Sequence, residues 1–107
     1  MIMSEQEPEI EKLIVSPNTW MWPDDEHLKY HIEIELPGVE KESISLKMHE
    51  DSFFIKAETE DTVYVGSYSA CCEIEPTKAV ASYKNGLLKV DVPFKEAEFK
   101  SVEIKIH

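Results

Sequence analysis

Hydrophobic and polar residues alternate most clearly in the last third of the chain. Residues 88–92 read Leu-Lys-Val-Asp-Val, and Asn85 and Gly86 lie just before them. An Asn-Gly pair accepts the positive φ angles of a two-residue hairpin turn, and strict alternation is typical of a half-buried antiparallel strand. The pattern predicts a β-hairpin whose first strand covers residues 78–83.

The same two-residue period recurs upstream in four further segments, which are residues 28–36, 44–49, 53–58 and 68–75. Pro37 and Gly38 end the first of them, and Pro76 ends the last, because proline cannot donate a ladder hydrogen bond. Several short strands with regular turns, and a single helix candidate, indicate an all-β chain. We predict an immunoglobulin-like antiparallel β-sandwich.

The two ends of the chain differ from this central pattern. We expect residues 1–25 to form an N-terminal arm, residues 26–95 the sandwich domain, and residues 96–107 a C-terminal tail. In the tail, Ile104 and Ile106 alternate with charged neighbours. Burial of each such side chain is worth about 1.5–3 kcal/mol, so both should dock on a sheet edge. That edge belongs either to their own domain or to a neighbouring subunit.

Within the arm, Pro8 is expected to open a short helix that ends near residues 16–18. Its apolar stripe would consist of Ile10, Leu13 and Ile14. An aromatic segment, residues 20–22, follows this helix. We expect Trp22 to cap the sandwich, because Pro23 restricts the chain close to the first strand.

The charge is strongly acidic. The chain has 22 acidic and 11 basic residues, a formal net charge of −11, and every basic residue is lysine. Such a field repels phosphate backbones and anionic lipid, so nucleic acid and membranes are not expected partners. The first residues lack the basic and apolar segments of a secretory signal, which favours a soluble, cytoplasmic protein.

Residues for catalysis are sparse. The four histidines, His27, His31, His49 and His107, lack the spacing of a zinc site, and the three glycines form no phosphate loop. We therefore expect no enzyme activity, no metal and no cofactor. Cys71 and Cys72 are adjacent, so on the predicted strand their side chains would face opposite sides. We expect them to fill space as small apolar residues. The alternative is redox sensing through an exposed member of the pair.

Two motifs stand out, L-P-G-V at residues 36–39 and A-x-x-x-N-G-L-L at residues 81–88. In their residues, order and spacing they resemble the α-crystallin domain of small heat-shock proteins. The residues that carry the resemblance are Leu36, Pro37, Gly38, Ala81, Asn85, Gly86 and Leu88. The resemblance implies an ATP-independent holdase that binds partly unfolded client proteins and prevents their aggregation.

The resemblance also implies how the ends are used. Ile104-Lys105-Ile106 is similar to the family's tail motif, which docks in a groove on an adjacent subunit and would allow self-association. By position, the groove residues would be Leu46, Met48, Val80 and Ser82. The apolar residues expected to contact clients are Ile10, Leu13, Ile14, Trp20 and Met21.

One departure from the family keeps a second hypothesis open. Many members carry a long loop after the strand equivalent to residues 53–58, with a strand that is exchanged to build a dimer. Here only residues 59–67 are available, which is too short for that exchange. A short-looped sandwich also resembles the CS-domain co-chaperones, which act as monomeric adaptors for a specific protein partner.

Overall fold

The computed structural model describes residues 11–24, 26, 28–95 and 103–107. Its strands are β1 (Leu13–Val15), β2 (Thr19–Pro23), β3 (Lys29–Glu35), β4 (Ser45–Met48), β5 (Ser52–Glu58), β6 (Thr62–Ser69), β7 (Val80–Lys84) and β8 (Leu87–Pro93). Two short 3-10 helices, Lys41–Ser43 and Pro76–Lys78, lie in the connections. The first sheet has the order β1-β6-β5-β4, and the second has the order β2-β3-β8-β7. The predicted all-β sandwich is confirmed.

The core lies between the two sheets and follows the alternation in the sequence. In β3, for example, Tyr30, Ile32 and Ile34 are buried while the residues between them are partly exposed. β5 and β8 repeat this pattern at every second residue. The buried set is Tyr30, Ile32, Ile34, Leu36, Val39, Phe53, Ile55, Ala57, Ile74, Leu88, Val90 and Val92.

The two sequence motifs meet in space. The backbone N–H of Leu36 donates to the carbonyl oxygen of Gly86 at 2.7 Å. The Tyr83 hydroxyl lies 2.7 Å from the carbonyl oxygen of Leu36 and 2.8 Å from that of Val39, and it donates its proton between them. The turn that ends β3 is therefore fastened to the β7–β8 hairpin.

The N-terminal segment differs from its prediction. Leu13 and Ile14 belong to β1, a strand parallel to β6, so the predicted helix is wrong for these residues. Its expected start at Pro8, and Ile10, lie outside the described residues. A two-turn helix is marginal by itself, whereas the edge of β6 supplies backbone partners. Lys12 adds an ion pair to Glu58 at 2.9 Å.

The aromatic segment that we assigned to the arm is also a strand. β2 pairs antiparallel with β3 along its whole length and extends the second sheet. Trp22 lies opposite His31, on the outer face of that sheet, and it is 40% exposed. The expectation that Trp22 caps the core is therefore wrong, because the β2 register turns Met21 inward instead.

β6 also differs from its prediction. It runs without a break through Gly66 and ends at Ser69, so the expected strand over residues 68–75 is wrong. Gly66 lies under the ring of Tyr68, where an added Cβ would come within 2.5 Å of a ring carbon. The chain bends at Cys71 and Cys72, which are both exposed. Their predicted space-filling role is wrong.

Replacement of Gly86 by valine should destabilise the sandwich. Gly86 has a φ of +80°, and an added Cβ would lie 3.4 Å from the Cα of Pro37. A β-branched residue is strained at positive φ, so we expect a loss of about 1–3 kcal/mol in the free energy of unfolding. Urea denaturation measures this loss.

The matched control for this variant is Gly86→Asn, because asparagine tolerates positive φ but introduces the same Cβ. It should lose clearly less stability than Gly86→Val. Equal losses for the two variants would show that contact with Pro37, and not backbone conformation, decides the effect.

Candidate functional site

An apolar groove opens between the edge strands of the two sheets, β4 and β7. It has a volume of about 220 Å³. Its lining residues are Lys41, Ile44, Leu46, Ala81, Ser82, Tyr83 and Leu88. The groove exists because β4 and β7, the last strands of the two sheets, lie on the same side of the sandwich. Partly buried core side chains remain accessible between them.

Strand register decides which predicted groove residues line it. Leu46 and Met48 lie opposite the buried Ile55 and Phe53, so both face the interior, but only Leu46 is part of the groove lining. Val80 lies opposite Asp91 on the outer face of the second sheet. Ser82 lies opposite the exposed Lys89 and yet borders the groove. Of the four predicted residues, Leu46 and Ser82 are therefore part of the lining, whereas Met48 and Val80 are not.

Sequence reasoning missed the apolar residues that complete the groove. Ala81 and Tyr83 lie opposite the buried Val90 and Leu88, so β7 turns this alternate set inward. Ile44, just before β4, also packs against the core. Ser82 and Lys84 alternate with Ala81 and Tyr83, but the apolar Val80 obscures this pattern, so the register of β7 was needed to choose the inward set.

The tail isoleucines lie outside both sheets. Residues 103–107 form no strand, and Ile104 and Ile106 are 75% and 95% exposed. Residues 96–102 lie outside the described part of the chain. The groove and the tail motif are therefore both open on the same subunit.

A second apolar surface covers one end of the second sheet. Trp20 is 47% exposed and shares the outer face of β2 with Trp22. The rings of Trp22 and His31 are 5.6 Å apart, and His31 Nδ1 is 2.5 Å from Asp91 Oδ1. We call Trp20 and Trp22 the aromatic face.

The other predicted client-contact residues are dispersed. Met21 packs against the core from the opposite side of β2. Leu13 and Ile14 are exposed on β1, at the edge of the other sheet. Of the predicted client-contact residues that the structure describes, only Trp20 lies beside Trp22, on a different sheet from β1.

A polar cavity of about 690 Å³ has Lys12, Glu58 and Asp61 in its lining. A hydrogen bond from Lys12 lowers the pKa of Glu58, and hydroxyl hydrogen bonds from Thr59 and Thr62 lower the pKa of Asp61. Both carboxylates therefore stay ionised at neutral pH, which does not suit proton donation. Among the described residues, no cluster of three or more His, Cys, Asp or Glu could hold a metal ion.

Over the same residues, no helix has the length and apolar character needed to cross a membrane.

The described residues form a two-layer β-sandwich with an open apolar groove between edge strands. The Hsp20/alpha crystallin family model matches residues 22–107. The chain belongs to the Hsp20/alpha crystallin family, the small heat-shock proteins.

Individual relatives agree with this assignment. Small heat shock protein C4 of Rickettsia felis is 29% identical in an alignment of 109 positions, which covers 87% of this chain and 65% of that protein. The probable 15 kDa heat shock protein of Leptospira interrogans is 21% identical, over 97% of this chain and 89% of that protein. The chain thus spans about two thirds of the Rickettsia protein and most of the Leptospira protein.

Solved structures show the same fold. Heat shock protein 16.0 of Schizosaccharomyces pombe superposes with a TM-score of 0.66 at 21% identity, over 87% of this chain and 99% of that chain. A small heat-shock protein of Xylella fastidiosa gives 0.66 at 15% identity, over 87% and 97% of the two chains.

Removal of the Tyr83 hydroxyl should loosen one wall of the groove. In Tyr83→Phe, the carbonyls of Leu36 and Val39 lose their shared donor, so we expect the free energy of unfolding to fall by about 1–2 kcal/mol. Chemical denaturation measures it. Ser82→Ala, at an exposed neighbouring position, is the control and should change stability by less than about 0.5 kcal/mol. An unchanged midpoint for Tyr83→Phe would contradict the role given to this hydroxyl.

Proposed function

We propose that the protein is an ATP-independent holdase that binds partly unfolded polypeptides and prevents their aggregation. Family membership supports a chaperone role in general. The observation that carries the specific proposal is the aromatic face, because Trp20 and Trp22 present large apolar surface on the outside of a folded sheet. Such surface on a soluble domain is typical of an interaction site.

Charge supports the same function. The net charge of −11 gives the molecule an acidic exterior around its apolar surfaces. Like charges on neighbouring complexes repel, so a chaperone loaded with an apolar client stays dispersed. No nucleotide, metal or other cofactor is needed for this passive mode of binding. We place this activity in the cytoplasm.

We further propose that the subunits associate through the tail. Ile104 and Ile106 are exposed side chains two residues apart, and the groove offers apolar lining from Ile44, Leu46 and Ala81. An extended segment with alternate apolar side chains suits a groove between two edge strands. The position of the tail outside both sheets supports this assembly over the monomeric co-chaperone.

The connection between β5 and β6 argues against a dimer built by strand exchange. Only Thr59, Glu60 and Asp61 join the two strands. Three residues span at most about 10 Å, which does not allow a strand to reach a partner. The tail contact is therefore the route to self-association that this chain offers best.

The holdase proposal predicts protection of a heat-labile client. Light scattering of the heated client should fall when the protein is present at equimolar ratio, because exposed client segments are covered before they meet one another. The double variant Trp20→Thr and Trp22→Thr should protect several-fold less well. Threonine keeps the β-propensity of β2 while removing the apolar area.

Val80→Thr is the matched control, since Val80 is exposed on the outer face of the same sheet. It should protect as well as the unmodified protein. Undiminished scattering with the unmodified protein would reject the holdase activity. Equal protection by the tryptophan variant, with unchanged folding, would place client binding elsewhere.

Self-association through the tail predicts a drop in mass. In the double variant Ile104→Ala and Ile106→Ala, assemblies should become smaller by sedimentation while the circular dichroism spectrum stays unchanged. Ala81→Lys should have the same effect from the groove side, because it places a charge against the docked segment. Glu103→Ala with Lys105→Ala is the control and should keep the full mass. Loss of folding in the isoleucine variant would instead make the tail part of its own core.

A further inference from the structure

The bend after β6 presents two adjacent thiols in a fixed position. Cys71 and Cys72 are both free and exposed. The backbone N–H of Ala70 donates to the Asp51 carbonyl oxygen at 2.8 Å, and that of Ile74 donates to the Glu50 carbonyl oxygen at 2.7 Å. Both ends of the bend are therefore held by the β4–β5 turn.

The residue after the bend anchors it further. Ile74 is fully buried and forms an isolated bridge with Phe94. Neither cysteine lines the groove or belongs to the aromatic face. The dithiol is thus a rigidly placed surface feature that the proposed chaperone function does not use.

Chain geometry disfavours a disulfide between these neighbours. Consecutive Cα atoms are about 3.8 Å apart across a trans peptide, whereas disulfides usually join Cα atoms separated by about 4.4–6.8 Å. A bridging atom removes this conflict, because each sulfur then bonds to the bridge and the two sulfurs need not approach bonding distance. The pair favours an inserted thiophilic atom over a direct sulfur–sulfur bond.

The protonation state of the Cys71 thiol also favours a bridging atom over a disulfide. Although Cys71 is exposed, partial desolvation by neighbouring atoms, followed by a hydrogen bond and charge interaction with Cys72, raises the pKa of its thiol. The thiol therefore stays protonated at neutral pH, which slows its attack on peroxides, since the thiolate is the reactive form. A reagent that takes up the two thiol protons as it binds is not hindered in this way.

The number of ligands defines the chemical class. A structural zinc site needs four protein ligands, and no third ligand accompanies the two thiols among the described residues. A soft centre that prefers sulfur, and that carries its own third substituent, needs only two. Monosubstituted trivalent arsenic meets this requirement.

We propose that Cys71 and Cys72 form a two-thiol binding site for trivalent arsenicals of the form R–As=O. Two arsenic–sulfur bonds form, the arsenic–oxygen bond breaks, and the oxygen leaves as water with the two thiol protons. The oxidation state of arsenic and of both sulfurs is unchanged, so no oxidant or reductant is required.

The test uses the reduced full-length chain with phenylarsine oxide. Intact-mass spectrometry should show one phenylarsenic group per chain that survives a large excess of a monothiol and is removed by a dithiol such as 2,3-dimercaptopropanol. Cys71→Ser and Cys72→Ser each leave one thiol, so both should lose the adduct about 100-fold more readily, as expected when a second linked contact is removed.

Three results would overturn the proposal. They are release of arsenic from the unmodified chain by the monothiol, equal retention by either single variant, and rapid conversion to an internal disulfide by mild peroxide in preference to arsenical binding. Thermal unfolding of both serine variants should match that of the unmodified chain, which shows that lost binding is not lost folding. Client protection is not the readout, so failure here leaves the holdase proposal intact.

Discussion

The structure depends on the contact between the turn after β3 and the β7–β8 hairpin. The hydrogen bond from Leu36 to Gly86 joins the two turns, and the Tyr83 hydroxyl closes the same junction from the edge strand. Glycine is favoured at position 86 because the φ there is positive. This junction fixes the position of β7, and the position of β7 forms one wall of the groove.

Apolar surface can stay open without loss of the fold because it lies outside the core. The core residues lie between the sheets, and the central strands β3, β5 and β8 carry most of them. The groove and the aromatic face lie at the edges of the sheets, away from most of the core residues. Binding surfaces are thus separated from the elements that hold the domain together, which suits a protein whose ligands are other polypeptides.

The sequence predicted the central strands well and the margins poorly. Alternation in β3, β5 and β8 reflects burial of one face, so the local pattern carries the information. β1 is three residues long, and its partner β6 lies almost fifty residues away, so nothing local distinguishes it from a helix turn. The predicted strand began only at residue 68 because a glycine weakens the strand pattern, and the Tyr68 ring that covers Gly66 cannot be read from the sequence.

The groove residues show the same contrast between what the local pattern reveals and what strand register decides. The location of the groove between two edge strands followed from the family resemblance, and Leu46 and Ser82 do line it. Val80 was misplaced because a strand with one partner is exposed on both faces near its end, so hydrophobicity alone does not reveal its direction. The bend at Cys71 was missed because the alternating letters continue past the residue where pairing stops.

The N-terminal segment crosses from one layer of the sandwich to the other. β1 lies along the first sheet, β2 lies along the second, and Thr19 Oγ1 donates to the Tyr68 hydroxyl at 3.1 Å across the gap between them. Residues 16–18 connect β1 to β2, so a link of three residues joins a strand of one sheet to a strand of the other. β1 covers the edge of β6 with only three residues, so displacement of β1 would expose backbone groups of β6 to pairing with another strand.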